Sequence, residues 1–291
     1  MTRSAVASRT GSWRRRMPRA DEPRRHATGL RWTRRRLAIL RRRRCAIGWS
    51  AILLSAPGGL PGIRPAAAHE TTRPDRQASD VIDAGSFTVV RGTAKIGREE
   101  FTIRRSAPPD NGYVASGTAV YADRRLTPTL ATDSAGAPQR YQIEVRSGVR
   151  RQELLSLQIV RGRASQRNQT ASGESATEFR VAVDARLLDD DVFDQYYFIA
   201  QRAFGGRDPV PGATMTVVTV VPHRSTEVPF RVTVVGGDSV MIGGQLVNAT
   251  RLRIAPPTGG DRDVWVDAQA RVLKVAIPDR DVVATRDDVP R

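Results

Sequence analysis

The sequence predicts a mainly β fold: a curved antiparallel sheet forming a barrel or half-barrel, with one amphipathic helix packed across it. Three observations carry this. From Gly85 onward, apolar and polar residues alternate with period two in many short runs, the pattern of half-buried antiparallel strands. Turn residues recur between the runs, at Gly136-Ala137-Pro138, Gly148, Gly162, Gly173, Gly236-Gly237 and Pro256-Pro257 through Gly260, as a sandwich or barrel requires. A single segment, Leu188 to Phe204, leaves that pattern for helical spacing.

Ahead of the β region, residues 1–68 read as an export signal. Arg-rich sequence runs to Arg41-Arg42-Arg43-Arg44, a short apolar run follows from Cys45 to Ala56, and Pro65-Ala66-Ala67-Ala68 precedes His69. That order predicts cleavage after Ala68, with Ala66 and Ala68 as the small residues of the site. The apolar run is 12 residues long, whereas a spanning helix needs about 20, and Pro57-Gly58-Gly59 ends it. An uncleaved anchor is the alternative, and membrane contact is expected only through this signal. Thr33-Arg34-Arg35-Arg36-Leu37-Ala38 resembles a twin-arginine export motif, and Met17 is a candidate internal start.

The leader also distorts the composition. It holds 17 Arg and two acids, a net of +15, while residues 69–291 carry 30 basic and 28 acidic groups, a net of +2. The pI near 11.4 therefore describes the leader. With it set aside no basic stripe remains, so nucleic acid is not an expected partner. The only cysteine, Cys45, lies in the leader, which leaves the following domain without disulfides or thiol chemistry. Arg outnumbers Lys 45 to 2, a bias read as GC-rich bacterial coding.

Residues 69–84 are polar and without periodicity, and are expected to form a linker to a single domain over 85–291. Within that domain Tyr141, Ile143 and Val145 alternate with Gln142, Glu144 and Arg146. Phe179, Val181 and Val183 alternate with Glu178, Arg180 and Ala182, and Phe230, Val232 and Val234 with Arg231, Thr233 and Val235.

In the exceptional segment, Phe193, Tyr196, Tyr197, Ala200, Ala203 and Phe204 fall on one helical stripe. Asp189, Asp190 and Asp191 lead it, as suits a helix N-terminus, while Arg202 and Gly205-Gly206 close it. The stripe either plugs the core or lines an apolar cavity for an acyl chain or similar ligand, with Phe193, Tyr196, Tyr197 and Trp265 as the candidate lining. Trp265 alternates with Val264 and Val266, so one of the two sets faces inward.

Catalytic constellations are sparse. His69 and His223 are the only histidines after the leader, and no nucleophile elbow, zinc-protease motif or phosphate loop is present. His223 follows Pro222 and reads as a turn or surface residue. The Asp189-Asp190-Asp191 cluster with Asp194 lacks calcium-loop spacing and reads as helix capping. No catalytic residue, metal or cofactor is expected.

Three segments carry a resemblance. The opening hairpin over residues 85–105, the Leu188–Gly206 segment with its Tyr196-Tyr197-Phe198-Ile199-Ala200-Gln201-Arg202 core, and the Val264–Val275 hairpin with Trp265 resemble a bacterial family of exported β-rich proteins, the domain of unknown function DUF3108. The resemblance implies a barrel-like antiparallel fold in the cell envelope and brings no catalytic residues. The expectation is a periplasmic or secreted, non-enzymatic protein whose partner is a hydrophobic small molecule or an envelope protein. A filled-core scaffold is the alternative, with an uncharacterised hydrolase behind it.

Overall fold

The computed structural model describes residues 80–204 and 208–291. The export signal, its cleavage site, the Gly205-Gly206 pair and most of the expected linker lie outside the described residues. Fifteen strands form one sheet: β1 (Val81–Arg91), β2 (Ala94–Arg105), β3 (Tyr113–Tyr121), β4 (Arg125–Thr132), β5 (Pro138–Ser147), β6 (Arg150–Val160), β7 (Arg163–Thr170), β8 (Gly173–Arg180), β9 (Arg186–Leu187), β10 (Thr214–Val221), β11 (Thr226–Ile242), β12 (Gln245–Ala255), β13 (Arg262–Val266), β14 (Val272–Ile277) and β15 (Val282–Arg286). The helix α1 (Tyr196–Phe204) lies between β9 and β10. No helix among the described residues is long and apolar enough to cross a membrane.

The sheet order is β8-β7-β6-β5-β4-β3-β2-β1-β15-β14-β13-β12-β11-β10-β9. Two antiparallel meanders thus join through β1 and β15, which pair from Phe87↔Arg286 to Arg91↔Val282. Only the short β9 runs parallel to its neighbour β10. The two edge strands, β8 and β9, are consecutive in the chain. They share no ladder; the segment after β8 and its neighbour β7 instead meet β11 and the turn before it, where the Ala182 N–H donates to Glu227 on β11 and Gln166 Nε2 on β7 donates to Ser225 Oγ at 2.8 Å. The result is a curved, barrel-like sheet that does not close, as the alternation and turn spacing predict.

β1 begins at Val81, inside the stretch expected to be linker. The reason is a long-range ion pair that local polarity cannot reveal. Asp83 accepts from both terminal nitrogens of Arg286 at 2.7 and 2.9 Å, with the two side chains only 3% and 2% exposed. At the other extreme, β8 ends at Arg180 and the alternation stops one residue later. Val181 is buried, but Val183 is 87% exposed in a turn.

The inner face packs around α1. Tyr196, Tyr197, Phe198, Ile199 and Ala200 are all buried, so the helix is enclosed on every side over its first turn and a half rather than along one stripe. Phe87 stacks on Phe101 at 5.1 Å and meets Phe193 at 6.4 Å, while Tyr113 abuts Tyr197 and Phe198 at 6.4 and 6.0 Å. Each large side chain removed from water here contributes about 1.5–3 kcal/mol. The β4–β5 turn reaches the same helix. Gly136 adopts φ +84°, and a Cβ there would meet Gln201 Oε1 at 2.9 Å, so glycine fits on both counts.

A second, smaller cluster sits on the outer face. The ladder between β11 and β12 shifts register between Val234 and Gly236, where Gly236 has φ +140°. Beyond this bulge Val240, Ile242 and Ala249 pack with Trp265 and Leu273.

Candidate functional site

The acidic segment predicted to start the helix does something else. α1 begins at Tyr196 and has no acidic residue in its first turn. Asp189, Asp190 and Asp191 instead anchor the turn that follows β9, each to a different part of the sheet. Asp189 accepts from the Tyr141 hydroxyl at 2.9 Å and faces His223 Nδ1 at 3.2 Å. Asp190 takes Arg262 at 2.7 Å, and Asp191 takes Arg124 at 2.6 Å and Arg280 at 2.5 Å. Arg262 also donates to the Tyr196 hydroxyl at 2.8 Å, tying this turn to α1.

Two clefts open on either side of Arg124 and Asp191. One, of about 290 Å³, is lined by Leu126, Ile143, Val145, Glu153, Asp189 and His223 among others. The other, of about 280 Å³, is lined by Val89, Ile96, Tyr121, Phe193, Arg280 and Val282 among others.

His223, expected to be a turn or surface residue, does lie in a 3-10 turn, Pro222–Arg224. Its ring is nevertheless engaged at both nitrogens, with Nδ1 toward Asp189 and Nε2 3.6 Å from Glu153. The hydrogen bond to Asp189 is the main force raising its pKa to about 9, against the effect of burial. At neutral pH it is an imidazolium held between two carboxylates. It therefore offers no lone pair to a substrate, and a general base needs one.

A second acidic pair lies deeper. Glu99 on β2 accepts from the backbone N–H groups of Phe193 and Asp194 at 2.8 and 2.9 Å. Burial, followed by the charge of Asp194, holds its carboxyl well above the usual range. Burial and then the charge of Asp83 push Asp194 up to about 7. Both side chains are buried, so this pair serves the turn leading into α1 rather than a solvent-facing reaction. Among the described residues no group of three or more His, Cys, Asp or Glu side chains is arranged to hold a metal ion.

Three of the four predicted ligand-binding residues, Phe193, Tyr196 and Tyr197, share the buried core around α1, with Phe193 also bordering the 280 Å³ cleft, and Trp265 lies apart from them. Trp265 lies on the opposite face of β13 from Val264 and Val266, which belong to the inner core. There its Nε1 donates to Asp238 at 2.7 Å, and the Arg251 and Lys274 cations lie 5.2 and 4.7 Å from its ring. Sequence reasoning missed Tyr141, Glu153 and Glu99. Glu99 was legible in one respect, as a charged residue at an inward position of an alternating strand.

Neither a protein-family model nor a curated protein matches the chain, so the DUF3108 resemblance gains no support from those comparisons. Two solved structures are similar to it. One is a β-barrel-like protein of domain of unknown function DUF1849 from Brucella abortus, 10% identical, covering 70% of this chain and 93% of that one with a TM-score of 0.46. The other is a DUF1089 family protein from Pseudomonas aeruginosa, 15% identical, covering 60% of this chain and 87% of that one with a TM-score of 0.35.

Proposed function

We propose that this chain is an exported cell-envelope protein that works without catalysis, as a scaffold or interaction domain acting through its surface. The observation that carries this reading is the enclosed helix. Five consecutive buried residues of α1 occupy the concave side of the sheet, where a barrel-type ligand would otherwise sit. The engagement of both His223 nitrogens supports the non-enzymatic part. The Arg-rich leader supports export.

A second reading, binding of a small apolar ligand, has one specific place in its favour. The 280 Å³ cleft brings Val89, Ile96 and Val282 beside Phe193 and Tyr121. Native mass spectrometry of protein purified from the exporting cells tests both readings. The expected result is an unliganded mass with an N-terminus at His69. A retained leader would overturn cleavage, and a co-purified lipid would replace the filled-core reading with the apolar-ligand one.

A further inference from the structure

Three arginines stand side by side where the β3–β4 and β5–β6 hairpins turn. Arg125 on β4 pairs with Arg146 on β5, and Arg146 with Arg151 on β6. Directly paired residues share a face, so the row is about 10 Å across at ordinary strand spacing. A register shift makes it. Val145, which packs against the core, opposes Glu153, but Arg146 opposes Arg151, leaving Gln152 as the extra residue of a β-bulge. In a regular strand Arg151 would share the inward face of Glu153; the bulge turns it outward beside Arg146. The sequence hides this row, because its members come from three strands and one of them needs the bulge.

The row is short of carboxylates. Glu144 holds Arg146 at 2.9 Å, and the adjacent Arg124 is taken by Asp191 at 2.6 Å. Arg125, Arg150 and Arg151 are all exposed, and among the described residues no carboxylate lies within salt-bridge reach of them. Like charges directly opposite one another destabilise a sheet, so the arrangement works against the fold unless an anion joins it. Beyond the row, Gly148 and Val149 close the hairpin, with Gly148 at φ +57° and Val149 95% exposed. One exposed valine needs no explanation by itself. Here it stands at the tip of a turn, where polar residues are the rule, with unmatched cations directly behind it.

We propose that this hairpin docks the domain on an anionic phospholipid surface. Val149 enters the headgroup region, while Arg125, Arg150 and Arg151 meet lipid phosphates, whose oxygens suit guanidinium forks. A bilayer offers phosphates and an apolar layer together, as this tip requires; a soluble polyanion would leave Val149 in water. The turn also carries no aromatic side chain to stack a nucleobase. This inference rests on the reading that the domain acts through its surface, and it names what that surface meets.

The test is flotation of protein purified from the exporting cells with vesicles of mixed phosphatidylglycerol and phosphatidylcholine, against vesicles of phosphatidylcholine alone. Binding is expected to the first only, and to weaken with salt. Each cation close to an anionic surface is worth about fivefold in partition. Arg125→Ser, Arg150→Ser and Arg151→Ser together should therefore weaken binding about a hundredfold, and Val149→Asp about tenfold. Melting temperatures unchanged or raised show the variants folded, since thinning the row relieves repulsion. A second measurement separates the hairpin from any retained leader. Val149→Cys carrying an NBD fluorophore, on a Cys45→Ser background, should shift its emission to the blue on the anionic vesicles. The proposal is overturned by the absence of that shift, by equal binding to phosphatidylcholine, or by variants that bind like the natural chain. Indifference to vesicles in an unliganded, cleaved protein sinks the hairpin proposal alone. A co-purified lipid sinks the filled-core reading and leaves the Val149 emission standing, because Val149 lines neither cleft beside Asp191.

Discussion

At the residue scale, the buried polar groups set how the fold responds to pH. His223 titrates near 9 in the folded chain against an ordinary 6.5. Its contribution is therefore complete below about pH 6.5 and lost as pH rises through 9. Asp194 titrates near 7 against an ordinary 3.8, so the fold prefers its neutral form and loses that advantage as pH rises from about 4 through 7. Both groups act in the same direction. Urea denaturation at pH 5, 7 and 9 should show stability falling throughout, with His223→Gln flattening the upper half and Asp194→Asn the lower. The Asp83–Arg286 pair makes a different prediction. Asp83→Ala leaves a buried guanidinium unpaired and should cost about 3–5 kcal/mol. Asp83→Leu combined with Arg286→Met should recover most of that loss in the same denaturation measurement.

At the scale of elements, the β11–β12 hairpin bends at Gly236 and covers Trp265. A β-branched residue cannot adopt φ +140° without strain. Gly236→Val should therefore cost about 1–3 kcal/mol and loosen the hairpin. In a chain cut after Ala68, Trp265 is the only tryptophan, so its emission should shift red and become more open to iodide quenching. Alternation made such strands legible: the inward set of Phe230, Val232 and Val234 follows from period two alone. It could not show the register shift at Gly236, because one added residue moves every later side chain to the other face. The helix failed in the same way at its start. Its aromatic residues mark α1 correctly, but Asp189, Asp190 and Asp191 sit where arginines from distant strands outweigh the partial charge of a helix end. Those arginines, 124, 262 and 280, are far from the acidic segment in sequence, so local reading could not identify them as partners. His223 was underread for the same reason: its two carboxylates come from β6 and from the turn after β9.

For the whole molecule, the meeting of β1 and β15 in the middle of the sheet has a consequence for how the chain could be rewired. Written from β9 through β15 and then from β1 through β8, every strand would lie beside its sequence neighbour. The natural chain is thus a circular permutant of a sheet in simple sequential order, an up-and-down meander apart from the parallel β9, broken at its centre rather than at its edges. A version with Arg291 linked to Asp80, and new ends cut at the exposed Val183, should reach the same structure. It should also refold faster, because the β1–β15 pairing changes from the most distant contact in the described chain to a local one. Stopped-flow refolding of the permutant against the natural order would measure that gain directly. The uncovered strand edges would then coincide with the chain's two ends, where added domains could be attached without crossing the sheet.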